Sequence, residues 1–278
     1  MPDFALITCC VLPEPDPDEA PLLAACAAAG LDVEMAAWDD AGVDWSRFGA
    51  VKLHSCWNYY EDPESFRSWI ERASNLTRLW NPKEMVLRNL DKRYLGELES
   101  AEIPIVPTWY LTSETDLLDA LEQTDWLRFV VKPTVSAASY MTKRFTRDEV
   151  ECAQKFVGEI LATREAMMQP YIESVESGGE VSLIHIDGEL THCITKQPRF
   201  TGSDEKVSEG FQPNEAMVAA AEKVIATIKE PWLYARVDLM EAAPGQWLLS
   251  ELELVEPTLF LLQHPPAVER LVAAMKRI

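Results

Sequence analysis

Short apolar runs alternate with amphipathic stretches along the first third of the chain. Residues 4–11 form an apolar run that predicts a buried strand. A Pro/Asp-rich loop follows, in which Asp16 or Asp18 can cap a helix through Leu22, Leu23 and Cys26, with Gly30 as its stop. Residues 33–38 and 50–56 read as two further strands. This β-α-β start predicts an open parallel sheet, whose ligands sit at the carboxyl ends of the strands. The segment His54-Ser55-Cys56-Trp57-Asn58-Tyr59 lies at such an end. A substrate-facing loop and an aromatic cover on the sheet edge both fit it. Asp62-Pro63 opens a helix with Phe66, Trp69 and Ile70 on one face, and Asn81-Pro82 marks another helix start. Residues 89–98 predict one helix with Tyr94, Leu95 and Leu98 at core spacing. Prolines 104 and 107 make residues 103–108 an edge or a linker, with a domain boundary near residue 100.

The second half keeps the alternation. Residues 116–123 are helical, and residues 129–133 form a buried strand ending in Lys132. A loop of small residues, 134–141, follows. Thr146 and Asp148 precede a helix running to residue 163, and residues 166–172 make a strand and a hinge. Gly178-Gly179 is a turn. Residues 180–186 and 189–196 are two strands joined by Asp187-Gly188, a strong hairpin signal. Residues 199–212 are polar and turn-rich, and residues 213–228 are helical. Two strands joined by a tight loop at 241–246 come next, then a terminal helical region, 259–278, interrupted by Pro265-Pro266.

Composition narrows the function classes. The chain has 278 residues, 47% of them hydrophobic, enough for a large core. Its net charge is −21, from 46 acids against 25 bases, and no basic run offers a face to nucleic acid or to an anionic membrane. The six cysteines include no Cys-x-x-Cys pair, so reduced thiols in a cytoplasmic protein are expected. No signal peptide or membrane span is expected either. Phosphate-loop, dinucleotide, His-Glu-x-x-His and Gly-x-Ser-x-Gly motifs are missing from the sequence.

The chemistry concentrates in the late strand pair. Side chains two apart on a strand share a face. Glu251 and Glu253 therefore share one, and Arg236 and Asp238 share another. If the arms pair, three carboxylates and a guanidinium meet. Such a cluster suits Mg²⁺ held by hard oxygens, although an acid-rich hairpin facing water has the same pattern. Lys92, Lys132, Lys196 and Arg236 punctuate otherwise apolar segments. Each alone reads as a snorkelling side chain; together, ahead of the acids, they suit a triphosphate clamp.

Asp91-Lys92, Val131-Lys132-Pro133, Gln169-Pro170-Tyr171-Ile172 before Gly179-Glu180, Arg236-x-Asp238 and Glu251-x-Glu253 occur in the order seen in the ATP-grasp family, which the whole chain resembles. Lys132-Pro133-Thr134-Val135-Ser136-Ala137, Ser55-Cys56-Trp57-Asn58-Tyr59 and the segment from Glu251 to Phe260 resemble the O-ureidoserine cyclo-ligases of D-cycloserine biosynthesis more closely. The resemblance implies an N-terminal open parallel-sheet α/β domain (1–88) before a two-lobed α+β ATP-grasp fold, with a small lobe (89–165) and a C-terminal lobe carrying the metal site (166–278). It implies ATP and Mg²⁺. Lys92, Lys132 and Ser136 would lie at the phosphates, Gln169 and Ile172 along the adenine, and Glu180 on the ribose. Asp238, Glu251 and Glu253 would hold the metal, with Lys196 at the γ-phosphate and Arg236 at the transferring phosphoryl group. Glu253 stands where the family commonly has asparagine, and the 134–141 loop is poorer in glycine than usual. Ser55, Trp57 and Asn58 would face a small carboxylate or amine substrate.

The implied activity is ATP-dependent carboxylate activation and C–N ligation, between two substrates or within one. A kinase-like phosphotransferase and a nucleotide-binding regulator are the alternatives. The oligomeric state is open, a homodimer included.

Overall fold

The computed structural model describes residues 2–197 and 206–278. β1 (Phe4–Thr8), α1 (Glu19–Ala28), β2 (Val33–Ala37), β3 (Ala50–Leu53), α2 (Pro63–Leu76) and β4 (Arg78–Trp80) build the first layer. Its four strands are parallel, in the order β2-β1-β3-β4. α2 forms as expected. The Asp62 side chain accepts from the Ser65 N–H at its start, and Phe66, Trp69, Ile70 and Ala73 are its buried face.

α3 (Lys83–Asn89) and α4 (Tyr94–Ser100) lead to a second sheet. This comprises β5 (Trp109–Leu111), β6 (Arg128–Pro133), β7 (Lys143–Thr146) and β8 (Ala166–Pro170), antiparallel in the order β5-β8-β6-β7. α5 (Asp116–Gln123) and α6 (Val150–Leu161) cover it, so Leu117, Leu121, Val157 and Ile160 pack with Phe129, Val131 and Phe145. After α7 (Val175–Gly178), the third sheet contains β9 (Glu180–Ile186), β10 (Glu189–Lys196), β11 (Tyr234–Ala243) and β12 (Gln246–Glu253). Its order is β10-β9-β11-β12. α8 (Glu215–Ile225) packs on one face of it, and α9 (Pro265–Met275) joins the first and third sheets. Leu6 and Leu22 share one core with Ile184, Ile186 and Leu271. Asp187 and Gly188 take φ of 52° and 79°, the two left-handed positions a tight β9–β10 turn requires.

The structure revises several expectations. Residues 89–98 are not one helix: α3 ends at Asn89, and the turn from Leu90 to Arg93 restarts the chain as α4. The reason is tertiary. The Lys92 N–H donates to the Thr134 carbonyl at 2.9 Å, outside any helix. Asp18 does not cap α1 with its side chain; both of its oxygens accept from the distant Leu259 and Leu261 N–H groups at 2.7 Å. Pro265 and Pro266 begin α9 rather than interrupt a helix, because proline fits the first turn, where no N–H is needed. The second sheet runs to Pro170, past the expected lobe boundary at 165, since β8 lies inside it. Part of the expected 199–212 loop lies outside the described residues; within the rest, Val207 bridges Lys196 and Phe211 bridges Cys193. Among the described residues, no helix is long and apolar enough to cross a membrane.

The outer edge of β12 is closed. Leu249 exchanges backbone hydrogen bonds with Pro104 and Val106 at 2.8 and 2.9 Å. The Leu252 N–H donates to the Tyr94 hydroxyl at 2.9 Å. Asn89 then donates to the Leu252 carbonyl and accepts from the Leu254 N–H, both at 2.8 Å. The prolines at 104 and 107 make the 103–108 segment a one-bridge edge.

Candidate active site

The site grows from the register of β11 and β12. Arg236 lies opposite Glu253, and Asp238 opposite Glu251. The four polar side chains therefore share the face turned away from Val237 and Leu252, which enter the core beneath. A register shift follows at once: Leu239 pairs with Leu249, leaving Ser250 as an extra residue next to Glu251. β9 and β10 supply Glu180 and Lys196, β6 supplies Lys132, and the turn before α4 supplies Lys92. All four side chains line one cavity between the second and third sheets, together with Arg236, Glu251 and Glu253.

These charges neutralise one another in pairs. Lys132 Nζ lies 2.7 Å from Glu251 Oε1, and Lys92 Nζ 3.7 Å from Glu251 Oε2. Lys196 Nζ bridges Glu180 at 2.9 Å and Asp238 at 2.8 Å. Arg236 grips Asp238 through Nε at 3.0 Å and Nη2 at 2.9 Å, reaches Glu253, and donates through Nη1 to the Thr258 carbonyl at 3.2 Å. Among the described residues, no three acidic, imidazole or thiol groups already converge as a metal cage. Asp238, Glu251 and Glu253 each face a cation instead.

Charge and burial set the protonation. Burial opposes ionisation of Glu251, but Lys132 and Lys92 outweigh it and hold its pKa at about 2. Asp238 is likewise held well below the usual range, with Arg236 and Lys196 overcoming burial. Burial drives Glu253 up to about 7; Arg236 opposes it and Asp238 adds to it. Lys196 is raised although burial and Arg236 push it down, because Asp238 and Glu180 prevail.

Other sequence-selected residues sort by position. Ser136, Gln169 and Ile172 line the cavity. Lys92 Nζ donates to the Ser136 carbonyl at 2.9 Å, and Gln169 Nε2 to Thr108 Oγ1 at 2.9 Å. Trp57 lines the cavity too, with its indole N–H donating to the Glu256 carbonyl at 3.1 Å. Ser55 and Asn58 are not among the cavity-lining residues. The Ser55 hydroxyl donates to Thr8 Oγ1 at 3.0 Å, and Asn58 is held between Trp38 and Asp39 at 2.7 and 2.8 Å.

Sequence reasoning assigned no place in the site to Glu14, Glu256, Thr258, Asp18 or Phe260. The first three line the cavity. Asp18 is 2% exposed and holds the two N–H groups flanking Phe260. Phe260 has φ 51°, a left-handed geometry rare for an aromatic residue, and its ring lies 5.5 Å from the Arg236 guanidinium carbon. The available signal was an acid inside an otherwise apolar run, Val255-Glu256-Pro257-Thr258-Leu259-Phe260.

Comparison with known proteins places this geometry. Residues 4–81 match the family model described as the N-terminal domain of D-cycloserine synthetase DcsG. The cycloserine biosynthesis protein DcsG of Streptomyces lavendulae is 35% identical over 93% of this chain and 92% of its own. The chain belongs to the DcsG family. The crystal structure of D-cycloserine synthetase DcsG is 33% identical to this DcsG-family chain, with a TM-score of 0.91 over 99% of each. A RimK-domain ATP-grasp protein from Sphaerobacter thermophilus (16% identity, TM-score 0.72, 99% and 98% coverage) shares the fold. So does the D-alanine–D-alanine ligase of Bacillus anthracis complexed with ATP (17% identity, TM-score 0.70, 99% and 96% coverage). The DcsG-family chain is thus an ATP-dependent ligase that forms a C–N bond on an ATP-grasp fold.

Proposed function

We propose that this ligase activates the carboxylate of a small amino-acid-like substrate by phosphorylation from ATP, then closes a C–N bond with a nitrogen of the same molecule. The observation that carries the reading is the β11–β12 register, which turns Arg236, Glu251 and Glu253 toward Lys92, Lys132 and Lys196 in one cavity, with Asp238 buried behind Arg236 and Lys196. A carboxylate is a poor acyl donor because its leaving group would be oxide. Transfer of the γ-phosphoryl group makes an acyl phosphate, releasing ADP, and the nitrogen then displaces phosphate.

Lys92, Lys132 and the Ser136 loop would receive the phosphates, with Lys196 at the γ-phosphate. Gln169 and Ile172 would flank the adenine and Glu180 the ribose. Arg236 would stabilise charge on the transferring phosphoryl group and on the tetrahedral intermediate. Trp57 would form part of the substrate wall. Asp238, Glu251 and Glu253 fit Mg²⁺: they are hard oxygen donors on one face of a paired hairpin, and Glu253, held at about 7, gains a counter-charge from a dication. The metal supplies neutralisation of phosphate charge when bound. Each lysine and the arginine would exchange its carboxylate partner for phosphate oxygen. No protein nucleophile is needed. The Cys56 thiol donates to the Ile7 carbonyl at 3.2 Å, and burial raises its pKa well above normal.

The lobes would divide at the second sheet, with residues 109–170 as the small lobe. The test is a panel of amino acids and ureido-acids, O-ureidoserine among them, assayed for ADP and phosphate release with product mass. A product lighter than its substrate and made without added amine supports cyclisation. A stable phosphorylated product, or an absolute need for a second amine, overturns it.

A further inference from the structure

Four cations in the cavity are committed to four carboxylates: Lys132 and Lys92 to Glu251, Lys196 to Glu180 and Asp238, and Arg236 to Asp238 and Glu253. Glu256 is a further acid in the same wall, and it is 7% exposed. Among the described residues, no side chain hydrogen-bonds or ion-pairs with its carboxyl group; Lys92 and Arg236 act on it only at longer range, and burial, with Glu253 nearby, pushes its pKa up to about 8. A buried carboxyl group with no hydrogen bond or ion pair is costly, and folding alone gives no reason to keep one facing a cavity.

Its backbone is fixed on both sides. The Trp57 indole N–H holds the Glu256 carbonyl at 3.1 Å, and two residues on, the Thr258 carbonyl accepts from Arg236 at 3.2 Å. The carboxyl group therefore sits in the cavity wall within reach of the charges of both Lys92 and Arg236, in a lining that also contains Trp57. A buried acid next to an aromatic ring is chemistry that selects a compact cation. ATP carries no such cation, and the three hairpin acids already account for a metal. The remaining molecule in the reaction is the substrate whose carboxylate is activated.

We propose that Glu256 is the counter-charge for a primary ammonium group on that substrate. The site then takes a zwitterion, with its carboxylate toward Arg236 and its ammonium toward Glu256. This assignment rests on the ligase reading above and deepens it: a simple carboxylic acid of the same length is rejected because it leaves the buried Glu256 unpaired.

The test compares O-ureidoserine with 3-(ureidooxy)propanoate, which lacks only the α-amine, on the wild-type protein and on Glu256→Gln. Binding is read by calorimetry and turnover by ADP release. The wild type is expected to prefer the amine-bearing compound by about 100-fold, the scale on which buried polar sites discriminate. Glu256→Gln should lose about 100-fold in kcat/KM for O-ureidoserine, chiefly through KM, and change about threefold or less with the des-amino compound. KM for ATP should not move. Equal losses with both compounds, or a wild type that binds the two alike, overturn the assignment. A wild-type binding preference that disappears in Glu256→Gln, with no ADP released, supports the ammonium assignment and overturns the ligation reading.

Discussion

At the scale of single residues, the ion pairs of the cavity make distinguishable predictions. Glu251 meets two lysines and belongs to the set of acids proposed for the metal. Glu251→Ala should reduce Mg²⁺-dependent ATP turnover by at least about 100-fold, while circular dichroism stays unchanged; near-wild-type turnover would remove the metal assignment. Lys132→Ala should weaken ATP binding by roughly 10- to 100-fold in calorimetry, the loss of one buried phosphate contact. Unchanged affinity would exclude Lys132 from the phosphates. Away from the cavity, burial lowers His185 and His192 to about 4. The unfolded chain takes up these protons near pH 6.5, so between pH 6.5 and 4 each histidine lowers stability as pH falls. Glu253 and Glu256, held up to about 7 and 8, act in the opposite direction: they favour the fold below about pH 4.5 and lose that benefit as pH rises toward 8. The two trends overlap, so the histidine contribution shows only in a difference. Among the described residues, His185 Nδ1 has no hydrogen-bond partner although it is buried, which makes His185→Phe the suitable variant. Its stability relative to wild type should rise by up to about 3 kcal/mol on going from pH 7 to pH 4.5; a flat difference would refute a neutral buried imidazole.

At the scale of elements, the β11–β12 hairpin was the most legible part of the chain. A period of two forces alternating acids to one face, and hairpin pairing does the rest. What holds the hairpin in place was not legible. Asn89 grips Leu252 and Leu254 across more than 160 residues, and Asp18 grips Leu259 and Leu261 across more than 240. Their partners are backbone groups, which leave no side-chain signature. The broken helix at 90–93 has the same origin. Ser55 and Asn58 lie outside the cavity lining while Trp57 is part of it, because the strand-end rule locates a loop without saying which of its side chains turn inward. Asn89→Ala should cost about 2–4 kcal/mol in denaturant unfolding, because it strands a buried carbonyl and a buried N–H. Asp18→Ala should lower kcat more than it raises KM for ATP, since it releases the segment that carries Phe260 and Thr258 against Arg236. Asp18→Asn, which keeps one acceptor, should recover part of that loss. Equal kcat in the two variants would show that Asp18 serves stability alone.

At the scale of the molecule, the second sheet is entered at Trp109 and left at Pro170 through β5 and β8, which pair with each other, Trp109 opposite Met168. The chain just before it is fastened to β12 by Pro104 and Val106, and the chain just after it leads into β9. The sheet is therefore an insertion carried on a two-stranded neck. Swinging about that neck would move Lys132 and Ser136 while Lys92, Lys196, Arg236 and the hairpin acids stay together. The gap is latched on two sides: on one, Lys132 to Glu251 at 2.7 Å and Lys92 to the Thr134 and Ser136 carbonyls at 2.9 Å; on the other, the stacked rings of Tyr60 and Tyr140, 4.4 Å apart, with Arg164 donating to the Tyr60 carbonyl at 2.8 Å. A cysteine pair placed across the second latch, Tyr60→Cys with Tyr140→Cys, should trap nucleotide when oxidised and slow ADP release at least about tenfold, as expected where lobe opening gates product release. Unchanged release would mean that the neck does not bend in turnover. The closed edge of β12 gives the swing its geometry. Because residues 81–106 are stitched along the hairpin, from Asn81 on the Tyr234 and Leu254 carbonyls to Val106 on Leu249, the strand carrying Glu251 and Glu253 would serve as a fixed jaw and the inserted sheet as the jaw that bites.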